Sequence, residues 1–182
     1  MSYYSWKTGV QPQECEQLIN EFDKGVYGGG KVGSGKDGVI VECLRKTEIQ
    51  WIEKDLIINR VVGSFINEAN LAYFKFKLSG TEKIQFAKYS EACMYDWHTD
   101  INIDQLVEEP RKLSLMIQLS DPDDYKGGEF QLYNGTNEPI EPDVRSQGSV
   151  IVFDSRMWHR IKPITEGVRF SIVCWCIGPR FV

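Results

Sequence analysis

The chain has 182 residues, of which 42% are hydrophobic, 12% aromatic and 26% charged, the composition of one ordinary folded domain. This excludes disorder, collagen and coiled coil, and a chain of this length can bury a core without disulfides or a structural metal. The formal net charge of −5 argues against a uniform basic face for nucleic acid, and no apolar run approaches the roughly 18 residues of a membrane span.

The first residues, Met1-Ser2-Tyr3-Tyr4-Ser5-Trp6-Lys7, lack the basic-then-apolar pattern of a secretory signal. Apolar positions Cys15, Leu18, Ile19 and Phe22 predict a helix from Pro12 to about Gly25. The segment Gly28–Gly38 is rich in glycine, with Gly30, Gly35 and Lys36 at phosphate-loop spacing. Asp37 stands where that loop needs a hydroxyl for magnesium, so the segment reads as a surface loop, with a lid near the active site as a sub-case. Leu56, Ile57, Val61 and Phe65 predict a second helix from about Glu53 to Asn70, weakened by Gly63. From about Leu71 the period changes to two. Strands are predicted over Tyr73–Leu78, Lys83–Tyr89, Met94–Asp100, Leu113–Leu119, Glu129–Tyr133, Ser149–Phe153 and Val168–Ile177, separated by turn signals. Short helices followed by many short strands predict an α+β fold built on a sandwich or jelly roll, with residues 1–182 as a single domain. Five scattered cysteines, Cys15, Cys43, Cys93, Cys174 and Cys176, leave at least one without an intramolecular partner, which points to a reducing, cytoplasmic setting.

The chain has two histidines, His98 and His159. In a strand, residues i and i+2 share a face, so His98 and Asp100 can converge on one ion; on a helix they would point apart. A second histidine completes a facial triad of the kind that holds Fe(II) with open positions, and His159 is the candidate, in a polar loop after the strand that ends near Asp154. Taken singly, a His-x-Asp pair arises by chance and His159 reads as an ordinary histidine. Ten residues after His159 comes Arg169, in an otherwise apolar strand. Alternation puts Arg169, Ser171, Val173 and Trp175 on one face and Phe170, Ile172, Cys174 and Cys176 on the other. A guanidinium beside the Ser171 hydroxyl suits a small carboxylate, although a structural Asp or Glu would serve it as well. Cys174 and Cys176 read as buried thiols.

As a set, these residues resemble the 2-oxoglutarate- and Fe(II)-dependent dioxygenases, in their prolyl 4-hydroxylase-like branch. The pattern is His98-x-Asp100, a distant His159, and Arg169 ten residues on. Tyr89, Tyr95, the stretch Tyr125–Leu132 with its Gly127-Gly128 hairpin, the strand led by Gly148, and Trp175 also match. The resemblance covers about Lys83 to Gly178, the expected dioxygenase core of residues 83–178, with residues 1–82 as supporting helices and first strands. It implies a double-stranded β-helix. It also implies that His98, Asp100 and His159 hold iron, and that Arg169, with Tyr89 and Ser171, binds 2-oxoglutarate. Tyr95, Arg111 and Trp175 match positions that line the prolyl-substrate pocket. The implied cofactors are Fe(II), 2-oxoglutarate and O2, with ascorbate as a reductant. Three features depart from the family pattern: Asp154 between Phe153 and Ser155, Gln118 where some relatives have Tyr, and a short acidic segment with Asp104, Glu108 and Glu109.

The activity implied is hydroxylation of a prolyl residue in a peptide or protein, with release of succinate and CO2. The alternatives are hydroxylation of a free amino acid or other small metabolite, for which Arg111 is the evident second clamp, and a non-enzymatic sensor of metal or 2-oxoglutarate. Alkylated-nucleobase demethylases carry a second arginine where Trp175 stands, so neither nucleic acid nor membrane is an expected partner.

Overall fold

Strands with apolar residues at every second position need a second layer over that face. In the computed structural model, which describes residues 3–31, 45–52, 56–101, 108–135 and 138–180, such strands dominate and two helices cover them. The major sheet runs in the order β1 (Tyr3–Trp6), β11 (Val150–Asp154), β8 (Arg111–Gln118), β14 (Arg169–Ile177), β6 (Ile84–Tyr89), β4 (Glu48–Ile52) and β2 (Gly28–Gly29), with β5 (Gly80–Thr81) pairing on β14. The minor sheet runs β10 (Phe130–Tyr133), β12 (Trp158–Ile161), β7 (Met94–His98) and β3 (Arg45–Lys46), and β9 (Tyr125–Gly127) pairs with β13 (Ile164–Gly167). The pairings are antiparallel throughout. This is the jelly-roll architecture the sequence predicts, with the helices a minor part.

Strand alternation divides the interior in two. On β14, Phe170, Ile172, Cys174 and Cys176 pack toward α1 (Pro12–Phe22) and α2 (Leu56–Ala69), together with Leu113 and Ile117 of β8 and Phe86 of β6. The opposite face of the same strand, with Arg169, Ser171, Val173 and Trp175, lines a chamber between the sheets. The expected assignment of faces on this strand therefore holds, and both thiols are buried.

Helix α1 opens where the Gln11 backbone N–H donates to the Glu14 carboxylate at 2.9 Å and Pro12 takes the first turn, where its missing N–H costs nothing. Helix α2 buries Ile58, Val62, Ile66 and Ala69. The expected stripe began one residue earlier, yet Ile57 is 77% exposed and Val61 and Phe65 only flank the core. The segment is apolar on two adjoining stripes, so periodicity alone does not choose which one turns inward.

Three other expectations change. Tyr73–Leu78 is not a strand: a π-helical turn at Asn70–Phe74 ends in Lys75 at φ +58°, and Asn70 Oδ1 accepts the Phe76 N–H. Its period of two is real, because Phe74, Phe76 and Leu78 pack on the core, but the segment lies over the core without a ladder partner. The Gly127-Gly128 stretch is not a hairpin. Both glycines have positive φ, and they turn the chain from β9 into β10, which pair in different sheets. Gly28 and Gly29 form edge strand β2 against β4 rather than a loop, while residues 32–38 of that glycine-rich stretch lie outside the described residues. Among the described residues, no helix is long and apolar enough to cross a membrane.

Gly148 ties the amino-terminal segment to the sheet. Its carbonyl accepts the N–H groups of Gly9 and Val10, and its N–H donates to Gln118. Its φ is +78°, and a Cβ there would lie 1.9 Å from the Val10 carbonyl oxygen. Gly148→Ala is expected to cost about 1–3 kcal/mol or more of stability, read as a lower midpoint in denaturant unfolding.

Candidate active site

The two histidines face each other across the minor sheet: His98 ends β7, and His159 of β12 is its register partner. His159 is therefore on a strand, not in the expected loop. The sequence Trp158-His159-Arg160-Ile161 looks polar, but its burial alternates, with His159 and Ile161 buried. Asp100 lies just past the end of β7, where its backbone N–H donates to the Ser155 carbonyl at 3.0 Å. His98 Nε2 is 3.8 Å from Asp100 Oδ1, and His159 Nε2 is 3.3 Å from Asp100 Oδ2. Donor atoms of the three side chains lie within 4.8 Å of one another.

Each imidazole is held by its other nitrogen. His98 Nδ1 is 2.7 Å from the Asp96 carbonyl, and His159 Nδ1 is 3.0 Å from the Met157 carbonyl. A carbonyl only accepts, so both Nδ1 atoms carry a proton, and each Nε2 faces Asp100 as the nitrogen left to meet a metal. Burial, with His159 alongside, lowers the His98 pKa to about 3, which keeps that ring neutral. Burial pushes the Asp100 carboxyl up, but the two imidazoles, His159 foremost, outweigh it and hold the group ionised well below the usual range. The Ser114 hydroxyl of β8 donates to Asp100 Oδ2 at 2.7 Å and lies 3.0 Å from the Ser155 hydroxyl. Two imidazoles presenting Nε2 and one ionised, tethered carboxylate fit the facial donor set of Fe(II).

Arg169 opens β14 opposite Tyr89 of β6 and is 1% exposed. Its neighbours are weak: Nη1 donates to Ser171 Oγ at 3.4 Å and Nη2 to Met116 Sδ at 3.3 Å, and among the described residues no carboxylate lies within 4.0 Å. A buried guanidinium without an anion is costly, and a small carboxylate bound beside it removes that cost. Among the described residues the structural-acid alternative for Arg169 has no partner. Burial, partly offset by Arg45 and Arg169, raises the Tyr89 phenol, which stays protonated and able to donate.

Eight of the nine expected site residues line the inner chamber: His98, Asp100, His159, Arg169, Tyr89, Ser171, Tyr95 and Trp175. Arg111 lines only an outer cleft of about 530 Å³, which shares Tyr95, Asp100 and Trp175 with the chamber. Glu82 engages Arg111 with two bonds of 2.7 and 2.6 Å, and the guanidinium lies 3.9 Å from the Trp175 ring. Tyr95 stacks on His98 with centroids 3.4 Å apart and planes 10° apart, while the Arg45 guanidinium sits 4.5 Å over the same ring. Both faces of Tyr95 are thus covered, and its hydroxyl, raised to about 12 chiefly by burial, stays protonated. Sequence reasoning did not identify Arg45 and Gln85, which line both cavities, or Ser114, which holds Asp100. The one available signal was a polar residue inside an apolar strand, as with Gln85 between Ile84 and Phe86.

The model of the 2OG-Fe(II) oxygenase superfamily matches residues 84–177, which is most of the β-structure that builds this chamber. The chain belongs to that superfamily. A PKHD-type hydroxylase of Synechococcus sp. (strain CC9902) is 39% identical over 167 residues, covering 90% of this chain and 72% of the relative. Another, of Alteromonas mediterranea, is 32% identical over 95 residues, which cover 50% of this chain and 41% of that relative, so this match spans less than half of the relative's length. A solved prolyl hydroxylase from Trichoplax adhaerens, in complex with a peptide fragment of the hypoxia inducible factor oxygen degradation domain, superposes with a TM-score of 0.77 at 21% identity. It covers 96% of this chain and 83% of that one. As a 2OG-Fe(II) oxygenase, the protein works with Fe(II), 2-oxoglutarate and O2, and the donor set described above is suited to that metal.

Two predictions follow from this geometry. Arg169→Ala should weaken 2-oxoglutarate binding by about 10–150-fold, the worth of one charge-assisted pair, with Arg169→Lys losing less because charge survives without the fork. Calorimetric titration of the co-substrate measures both. Ser114→Ala should free the Asp100 carboxylate to rotate and weaken Fe(II) binding by about 10–100-fold, as loss of an outer-shell partner does. Metal titration with melting temperature recorded on the same sample reads it.

Proposed function

We propose that this 2OG-Fe(II) oxygenase hydroxylates a prolyl residue in a peptide or protein and releases succinate and CO2. In this reading His98, Asp100 and His159 hold Fe(II). Arg169 pairs with the distal carboxylate of 2-oxoglutarate, and the Ser171 and Tyr89 hydroxyls lie beside it. Bound Fe(II) and 2-oxoglutarate supply the oxidising chemistry, in which one oxygen atom of O2 enters the substrate and the other enters succinate.

The protein's own residues position the reactants and keep water away. Apolar walls from Phe130, Phe153, Ile161 and Val173 line the chamber around the triad. The observation that carries the prolyl reading is the continuity between chamber and cleft. Trp175 forms part of the wall they share, and half-exposed Trp51 lies 6.2 Å from it, ring to ring. An extended peptide laid in an open cleft can lower one ring past Trp175 toward the metal, and flat indole surfaces suit a proline ring. The likeness to a prolyl hydroxylase solved with a peptide supports the same reading. A small carboxylic-acid metabolite is the second reading, favoured by the Arg45 guanidinium at the chamber wall.

Incubation of the enzyme with Fe(II), 2-oxoglutarate and a panel of proline-containing peptides should give a product heavier by one oxygen atom on proline, read by mass spectrometry. If no member of the panel gains oxygen or stimulates succinate release, the prolyl reading fails. Trp175→Ala should keep 2-oxoglutarate affinity within about twofold while peptide-stimulated turnover falls tenfold or more. Loss of melting temperature and of every activity in parallel would instead mark Trp175 as a packing residue.

A further inference from the structure

Arg45 is 7% exposed and lines both the inner chamber and the outer cleft. Its three hydrogen bonds all go to neutral acceptors: Nε to Thr47 Oγ1 at 2.9 Å, Nη1 to the Lys31 carbonyl at 2.8 Å, and Nη2 to Gln85 Oε1 at 3.2 Å. Its plane rests over Tyr95, a further neutral partner. Among the described residues, no carboxylate lies within 4.0 Å of it, in contrast to Arg111, whose fork is filled by Glu82. A guanidinium has five N–H groups, and these bonds use three, leaving one on each terminal nitrogen.

The charge balance of the site sharpens the point. With Fe(II) and 2-oxoglutarate bound, the dication, the Asp100 carboxylate, the two carboxylates of the co-substrate and Arg169 sum to zero. Glu82 cancels Arg111. Among the described residues Arg45 then has no compensating carboxylate, and three bonds fix it on the wall of the chamber. Holding a buried charge in this state is unfavourable until an anion arrives, and a preset fork turns that cost into selectivity.

We propose that Arg45 is the substrate clamp of this enzyme and that the substrate presents a carboxylate to it. The inference deepens the prolyl hydroxylase reading, on which it rests. It replaces Arg111 as the second clamp, because Arg111 is already committed. The carboxylate has two chemical sources, an acidic side chain beside the target proline in a peptide or the α-carboxylate of a free amino acid.

The test uses two matched pairs. One is a blocked peptide with Glu beside a central proline, against the same peptide with Gln. The other is L-proline against L-prolinamide. Binding of each to the wild type, Arg45→Gln and Arg45→Lys is measured calorimetrically with saturating 2-oxoglutarate and no O2, and succinate release is then followed in air.

In the wild type, one pair should favour its carboxylate member by about tenfold or more, and which pair does so identifies the source. Arg45→Gln should reduce that preference below about twofold while melting temperature and 2-oxoglutarate affinity stay put, and Arg45→Lys should keep part of it. Equal affinities within both pairs, a preference that survives Arg45→Gln, or no binding by any of the four compounds would each overturn the proposal. A carboxylate preference in binding without hydroxylation of any proline compound would leave the clamp standing and remove the prolyl reading instead.

Discussion

The chamber between the sheets has to hold charge away from water, and that constraint organises the rest of the site. Asp100, Arg169 and Arg45 are all nearly buried, and the carboxylate and the guanidiniums meet the problem differently. Asp100 accepts from a serine hydroxyl, is tethered by its backbone N–H and lies beside the Nε2 atoms of both histidines. Arg169 is set against a hydroxyl and a thioether, partners too weak to satisfy it, which keeps it ready for an anion. Arg111, at the rim, is already neutralised by Glu82. The difference between a compensated and an uncompensated guanidinium separates framework from recognition here.

The fold serves this by giving each central strand two unlike faces. On β14 the apolar face is clamped by the helices, so the strand cannot slip by one residue without turning Arg169 and Ser171 into the apolar core and Ile172 and Cys174 into the chamber. Arg169, Ser171, Val173 and Trp175 therefore stay in line along one wall of the chamber. The same logic on β8 delivers Ser114 to Asp100 while Leu113 and Leu115 face the core.

Much of this was legible in the sequence because the decisive residue types are scarce. A chain with two histidines leaves little choice of imidazole ligands, and an arginine inside an apolar strand announces a task. The faces of β14 followed from alternation alone. Other features were not legible, for physical reasons. Arg45 sits on a two-residue strand with no period to read, and its partners Lys31 and Gln85, distant in sequence, meet it only in the folded chain. The Tyr73–Leu78 segment alternates as a strand does because it lies over a core, and alternation reports a covering contact as readily as a ladder. For α2, two apolar stripes competed, and only the packed partner decided between them.

The tether on Asp100 has a mechanical side. His98 and His159 ride on the minor sheet, whereas the carboxylate is fastened through Ser114 and Ser155 to β8 and the end of β11 in the major sheet. An ion held by His98, Asp100 and His159, as proposed above, would tie the two layers of the sandwich together at this point. Binding that needs both layers in place would stabilise the folded arrangement that brings them together. The spacing of the layers and the convergence of the three side chains would then depend on one and the same bond network.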